Sequence, residues 1–444
     1  MYKIRAMQSC SSARRAFLPL VVLIVGSPGL AYAQSNAPPS YQLTEIKFNG
    51  LSRYSEVSAS SATGLRVGDS VSMAQLKDAA DRLANSGAFD KVSFRYMTRG
   101  NELKTEFDVT ETANLFHCIF DNFVWFSPAT LDGTVRARVP LYDGSIPERG
   151  TTVGDVVSVL ESLLHANGIS GTVEYIPTAE KVHGPISAVS FRVKGLSMPV
   201  RGMSIAGAAG VSEGELIAAA SREIMGKDYS ATDTRIVSSS VLLPIYHRHG
   251  YLNARFDAPQ PSATAGAPAG SSFDVTVTIP VTEGLQYYWA GASWTGNHEL
   301  STDDLTALLA MKPTEIANQD KIDAGLFAVQ NAYLKKGYID VSLAPVVNLD
   351  DTTRLVRYDV PINEGTQYRM GHVQFQGISD KLNEEFTKKW QIASGSIYDG
   401  TYRDEFLKKI VFPKFVEIRT KPNVSVKLTR DFGHATVDLL FAFQ

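Results

Sequence analysis

The sequence predicts an α+β protein built as five tandem modules, each with the element order β-α-α-β-β. Three observations carry this expectation. A glycine that closes a helix-like segment returns at Gly87, Gly168, Gly250 and Gly337, at intervals of 81, 82 and 87 residues. Each is followed within two positions by a large apolar residue: Phe89, Ile169, Tyr251, Tyr338. A period that long means a string of small domains. Runs that alternate apolar and polar residues flank these segments, as half-buried strands do. Finally, two junctions are near duplicates, Val281-Thr282-Glu283-Gly284-Leu285-Gln286-Tyr287 and Ile362-Asn363-Glu364-Gly365-Thr366-Gln367-Tyr368.

In the first module Leu43 to Phe48 alternates as a strand and stops at Asn49-Gly50. Ser72-Met73-Ala74-Gln75 has the spacing of a capping box, and Leu76, Ala80 and Leu83 follow on one helix face. Ser86-Gly87 supplies the left-handed turn that ends this helix, and Val92 to Tyr96 and Leu103 to Val109 read as two more strands. In the second module Val156, Val157, Leu160, Leu163 and Leu164 form the helix face, and Val189 to Val193 is the last strand. Leu131 to Gly150 shows no clean helix and turn, which makes this module the divergent one. The third opens with Met203 to Gly207 and ends with Phe273 to Ile279. In the fourth, Ile322, Leu326, Val329 and Tyr333 form the helix face; a fifth begins at His372 to Gly377. The divisions are 41–111, 112–197, 198–284, 285–365 and 366–444. The short joints leave little room for rotation. Ala258 to Ser272, rich in Pro, Ala, Gly and Ser, reads as a flexible loop.

Residues 1–33 carry Lys3, Arg5, Arg14 and Arg15, an apolar core from Phe17 to Val25, and Ala31-Tyr32-Ala33, the pattern of a secretory signal peptide. That core is shorter than the roughly 20 residues of a membrane-spanning helix, and no later segment reaches that length. Cys10 precedes the apolar core, which argues against a lipid anchor. Its removal leaves Cys118 alone, so packed cores and not disulfides must supply stability. Cys118 lies in an apolar run and reads either as a buried thiol in a strand or as a reactive one. With 43 basic and 46 acidic residues the chain is not built for nucleic acid.

Catalytic readings find little support. His247-Arg248-His249 has no third ligand nearby and sits at a helix C-terminus, where a cation is favourable. Gly68-Asp69-Ser70 lacks the flanks of a nucleophile elbow and reads as a turn. Asp303-Asp304 and Asp350-Asp351 fit a helix start and a strand-to-strand loop. No enzymatic activity, cofactor or metal is expected. Trp289, Trp294, Tyr287 and Tyr288 cluster on the fourth module's first strand, where strict alternation sends some of them to solvent. They form either a docking patch or a contact with the preceding module.

This layout resembles POTRA (polypeptide-transport-associated) domain arrays of the barrel-assembly and two-partner-secretion families. The carriers are the first strands ending in Asn49-Gly50 or Gln376-Gly377, the turn Val67-Gly68-Asp69, the helix exits Gly87-Ala88-Phe89 and Gly337-Tyr338, and the Glu-Gly joints. The resemblance implies a three-stranded mixed sheet with two helices on one face in each module. It also implies that the middle strand in sequence is a receptive edge, open to strand addition. The partner-binding residues are then Val92, Phe94, Tyr96, Ala254, Phe256, Ile339, Val341 and Leu343. The same strands can instead be ordinary edges protected by charge, as Lys91 and Arg95 do. Only 29 residues run from Val416 to Gln444, enough to finish a soluble module and too few for a membrane barrel of at least about eight strands. The implied role is a periplasmic scaffold that assists outer-membrane protein assembly or secretion. Its partners would be unfolded outer-membrane or secreted polypeptides and a separate barrel protein, with peripheral outer-membrane association. The alternative is an envelope spacer that binds no client.

Overall fold

The computed structural model describes residues 39–179, 185–264, 272–418, 420–421 and 423–444. The signal-peptide reading of 1–33 lies outside these residues. The described residues carry five sheets, each formed from one stretch of chain.

The first stretch runs β1 (Ser40–Asn49), α1 (Glu56–Thr63), β2 (Ser70–Ser72), α2 (Met73–Asn85), β3 (Phe89–Arg99) and β4 (Glu102–Glu111). Its sheet order is β2-β1-β4-β3, with β1 and β4 parallel and β3 antiparallel to β4. The capping box forms as read: the Ser72 hydroxyl accepts from Gln75 N, and the Gln75 side chain accepts from Ser72 N. Leu76, Ala79 and Leu83 are buried beneath α2, against Leu103, Phe107 and Val109 of β4.

The second stretch repeats this with β5 (Leu115–Phe120), α3 (Pro128–Arg138), β6 (Ser145–Pro147), α4 (Thr152–Ala166), β7 (Thr172–Ala179) and β8 (Ile186–Lys194), in the order β6-β5-β8-β7. The helix that the sequence did not show is α3. It carries only two buried apolar residues, Leu131 and Val135, and depends on Ser127 as N-cap and Pro128 in its first turn.

The third comprises β9 (Val200–Ala206), α5 (Glu213–Ile224), α6 (Ala231–Val237) joined through a π-helical turn, Ser238–Leu242, to α7 (Leu243–Arg248), then β10 (Arg255–Phe256), β11 (Gln260–Ala263) and β12 (Val275–Thr282). The fourth comprises β13 (Tyr288–Thr295), α8 (Thr302–Leu309), α9 (Gln319–Lys335), β14 (Ser342–Leu343), β15 (Val346–Asp350) and β16 (Leu355–Asn363). The fifth comprises β17 (Arg369–Gln376), α10 (Asp380–Lys389), α11 (Tyr402–Phe406), a π turn Leu407–Val411, α12 (Phe412–Glu417), β18 (Val424–Asp431) and β19 (Thr436–Phe443).

The expected three strands are the main strands. Each sheet has its last strand at the centre, parallel to the first strand and antiparallel to the hairpin partner. A short strand adds a fourth to the first two sheets, and in the next two the hairpin partner is broken in two.

The first strands bulge. Register shifts fall between Leu43 and Glu45 and between Trp289 and Gly291. Such a bulge resets the alternation. Trp289 and Trp294, five apart and of opposite parity, are therefore both buried, and Trp294 Nε1 donates to Thr306 Oγ1 at 3.1 Å. The solvent-facing patch expected from strict alternation does not form, and both tryptophans belong to the fourth unit's own core.

Candidate strand-addition edges and the joints that aim them

β3 is the longest candidate edge. It closes one side of the first sheet, its inner side paired with β4 from Phe89↔Glu111 to Arg99↔Glu102. Val92 and Phe94 are half-buried, Phe94 packing on Phe107 at 5.9 Å between ring centroids. Tyr96 and Met97 are 53% and 72% exposed, and no strand pairs with the outer side of β3 among the described residues.

The other expected edges differ from the sequence reading. Ala254 precedes β10 and is buried in the core; only Phe256 lies in the strand, against Tyr246. That edge resumes as β11 after Pro259, within the segment read as a flexible loop, of which 265–271 lie outside the described residues. In the fourth unit Ile339 and Val341 precede β14. Val341 is buried, and Ile339 packs on the core of the fifth unit. Of the three residues named there only Leu343 sits on the edge, which continues past Ala344-Pro345 as β15 with Val346 and Val347 exposed. Proline removes a backbone donor and is confined to edges, bulges and strand starts. Pro177 and Pro261 lie within β7 and β11, and Pro259 and Pro345 in the breaks of the next two edges, whereas β3 and β18 contain none.

The joints explain the periodic glycine. Gly250 has φ +79°, and a Cβ there would stand 2.7 Å from the Tyr287 carbonyl oxygen of the next unit. Gly337 has φ +88°, with the Tyr368 oxygen at the same 2.7 Å. The glycine carbonyls accept from the N–H of these tyrosines at 2.8 and 2.9 Å, while the Gln286 and Gln367 side chains donate to the His249 and Lys336 carbonyls. Gly87 lies against the Arg149 carbonyl in the same manner, and Arg53 donates to Asp143 across that joint at 2.7 Å.

The glutamates of the joints work within their own units. Glu283 accepts from Ala209 N and Gly210 N, Glu364 from His298 N and Glu299 N. Glu111 does the same with Ser52, Arg53 and Tyr54 N–H at 2.9–3.1 Å. Each carboxylate thus clamps the nest of amides that follows its unit's first strand.

Between the second and third units the joint is of another kind. Asp121, 2% exposed, accepts from Ser230 Oγ at 3.1 Å and Thr232 N at 2.7 Å, at the start of α6, and lies 3.0 Å from Arg192 Nε. Ser230 is the N-cap of that helix. The hydrophobic cores of the two units merge into one cluster. Gly168 has φ +72° but nothing within 4 Å of its Cβ position, so it serves only the backbone turn.

The residues weighed for chemistry have structural surroundings. Cys118 is buried in β5, and burial pushes its thiol up to about 12. Burial also lowers the His247 imidazole, and Arg248, 3.8 Å from Asp320, places a cation in the last turn of α7, the helix end where one was expected. Asp69 accepts from Arg66 N in a turn, Asp303 and Asp304 lie in the first turn of α8, and Asp350 closes a loop with Thr352 and Thr353. Among the described residues no group of three or more His, Cys, Asp or Glu is placed to hold a metal, and no helix is long and apolar enough to cross a membrane.

The described residues thus form a series of β-α-α-β-β units joined, except between the second and third, by backbone contacts at glycines, with strand edges that pair with nothing further among those residues. Residues 287–365 match the family model described as POTRA: Surface antigen variable number repeat, and the fourth unit is a POTRA domain. The chain is similar to a "Putative outer membrane protein assembly factor" of Treponema pallidum (strain Nichols), 23% identical over 165 residues, which is 37% of this chain and 20% of that protein. It therefore spans about one-fifth of the length of the curated relative it matches. Similar solved structures include POTRA domains 3–5 of BamA from Haemophilus influenzae, 18% identical, covering 56% of this chain and 96% of that one with a TM-score of 0.43. Another is the N-terminal domain of Omp85 from Thermosynechococcus elongatus, 10% identical, covering 73% and 98% with a TM-score of 0.19.

Proposed function

We propose that this chain is a non-enzymatic periplasmic scaffold that holds extended outer-membrane or secreted polypeptides by strand addition and works with a separate outer-membrane barrel protein. Its five POTRA-like modules divide at 41–111, 112–197, 198–284, 285–365 and 366–444. The observation that carries this reading is β3, eleven residues long and unpaired along its outer side among the described residues. Such an edge offers backbone N–H and C=O groups to a client whatever its side chains. The relative's printed name and the match of the fourth unit favour a role in outer-membrane protein assembly.

Hydrogen exchange tests it. An unfolded outer-membrane protein segment should slow exchange of the amides from Val92 to Tyr96, and an analogue N-methylated at alternate residues should not. A second reading, the envelope spacer, takes its support from the proline breaks at Pro259 and Pro345, which shorten two of the edges. Protection absent from all five sheet edges would establish the spacer and end the scaffold reading.

A further inference from the structure

The two faces of β3 carry different chemistry. Past the shift between Phe89 and Lys91, Val92, Phe94 and Tyr96 stand opposite Val109, Phe107 and Thr105, all buried, on the side that the helices cover. Lys91, Ser93, Arg95, Met97 and Arg99 stand opposite Thr110, Asp108, Glu106, Lys104 and Glu102 on the open side of the sheet. One row of the edge is therefore apolar and aromatic, and the other carries a cation at every fourth residue.

Arg95 is held by Glu106 at 2.9 Å and lies 3.7 Å from Asp108. Lys91 and Arg99 make no ion pair among the described residues, and both are exposed. Around Arg95, between them on the open side, lies a groove of about 260 Å³ bordered by Glu45, Lys47, Arg95, Met97 and Lys104.

On the basis of the strand-addition reading, we propose that β3 selects extended segments in which apolar and acidic residues alternate. The apolar residues lie beside Val92, Phe94 and Tyr96, and the carboxylates beside Lys91 and Arg99. Directly opposed side chains in an antiparallel pair have Cβ atoms about 4.5–5.5 Å apart, so opposite charges support the pairing and like charges oppose it. The apolar row gains by covering the exposed part of Tyr96. Because side chains alternate with period two, a slip of one residue would bring every carboxylate to the apolar row, so the same pattern fixes which face of the client meets each row. Unpaired cations on an edge also deter pairing between like edges. A client with the complementary charge is the strand that this deterrent admits.

Three labelled peptides of equal length test the selection by fluorescence anisotropy on the mature chain: alternating Val and Glu, alternating Val and Lys, and the Val–Glu peptide N-methylated at alternate residues. The Val–Glu peptide should bind about tenfold more tightly than the Val–Lys peptide, a preference that shrinks with salt. Lys91→Glu with Arg99→Glu, both at exposed positions, should reverse the order while circular dichroism stays unchanged. Equal binding of the two charged peptides, with the Val–Glu peptide weakened by N-methylation, would overturn the selectivity and leave strand addition standing. Binding unaffected by N-methylation, or no binding of any peptide, would overturn strand addition and this inference with it.

Discussion

The joint between the third and fourth units and the joint between the fourth and fifth are near copies, whereas the joint between the second and third resembles neither. The copied joints set a glycine at a helix end against a tyrosine carbonyl and close it with a glutamine side chain. The other buries a carboxylate against the start of a neighbouring helix and fuses two cores. Backbone contact at a glycine fixes where the next unit starts. A buried charge makes each unit's stability depend on the other.

The largest effect should come from Asp121→Ala, which leaves Ser230 Oγ and Thr232 N without their acceptor and Arg192 without its counter-charge. The expected loss is about 3 kcal/mol, seen by calorimetry of the full chain as a lowered transition of the second and third units together. A transition lowered for only one of the two would show that the units unfold independently. Next come Gly250→Ala and Gly337→Ala, which combine a left-handed residue with a clash against the following tyrosine; about 2 kcal/mol is expected, with altered small-angle scattering. Gly168→Ala meets open space and should cost about 1 kcal/mol with scattering unchanged. Equal scattering changes in all three variants would erase the distinction between the joints.

The smallest effect concerns the clamp in the first unit. Partial burial tends to raise the Glu111 carboxyl, but the Ser52 hydroxyl and the Ser52, Tyr54 and Arg53 amides outweigh it and hold the group below its ordinary value. A depressed folded value means that the clamp stabilises above the unfolded carboxylate value of about 4.3 and is lost as pH falls through the folded one. Glu111→Gln should therefore flatten the stability profile of the first unit below about pH 4, measured by denaturant titration across pH.

The sequence displayed the features whose cause is local. The capping box at Ser72, the helix faces and the glycine period follow from spacing alone. The sequence concealed what depends on distant partners. Nothing around Gly250 or Gly337 announces the tyrosine carbonyl that requires them, and Asp121 gives no sign of the helix start that it meets 109 residues later. A one-residue bulge after Trp289 defeated the alternation rule, and prolines broke two edges that composition alone extends or calls a loop. Helix α3, with two apolar contacts and a glycine at position 133, is legible mainly through its cap.

The copied joints leave the fourth unit with a Gln-Tyr plug at its beginning and a glycine socket at its helix end. A second copy of the fourth unit would therefore present to both of its neighbours the same contacts that the original does. The second and third units share a bespoke lock, and any such rearrangement would have to move them as a pair.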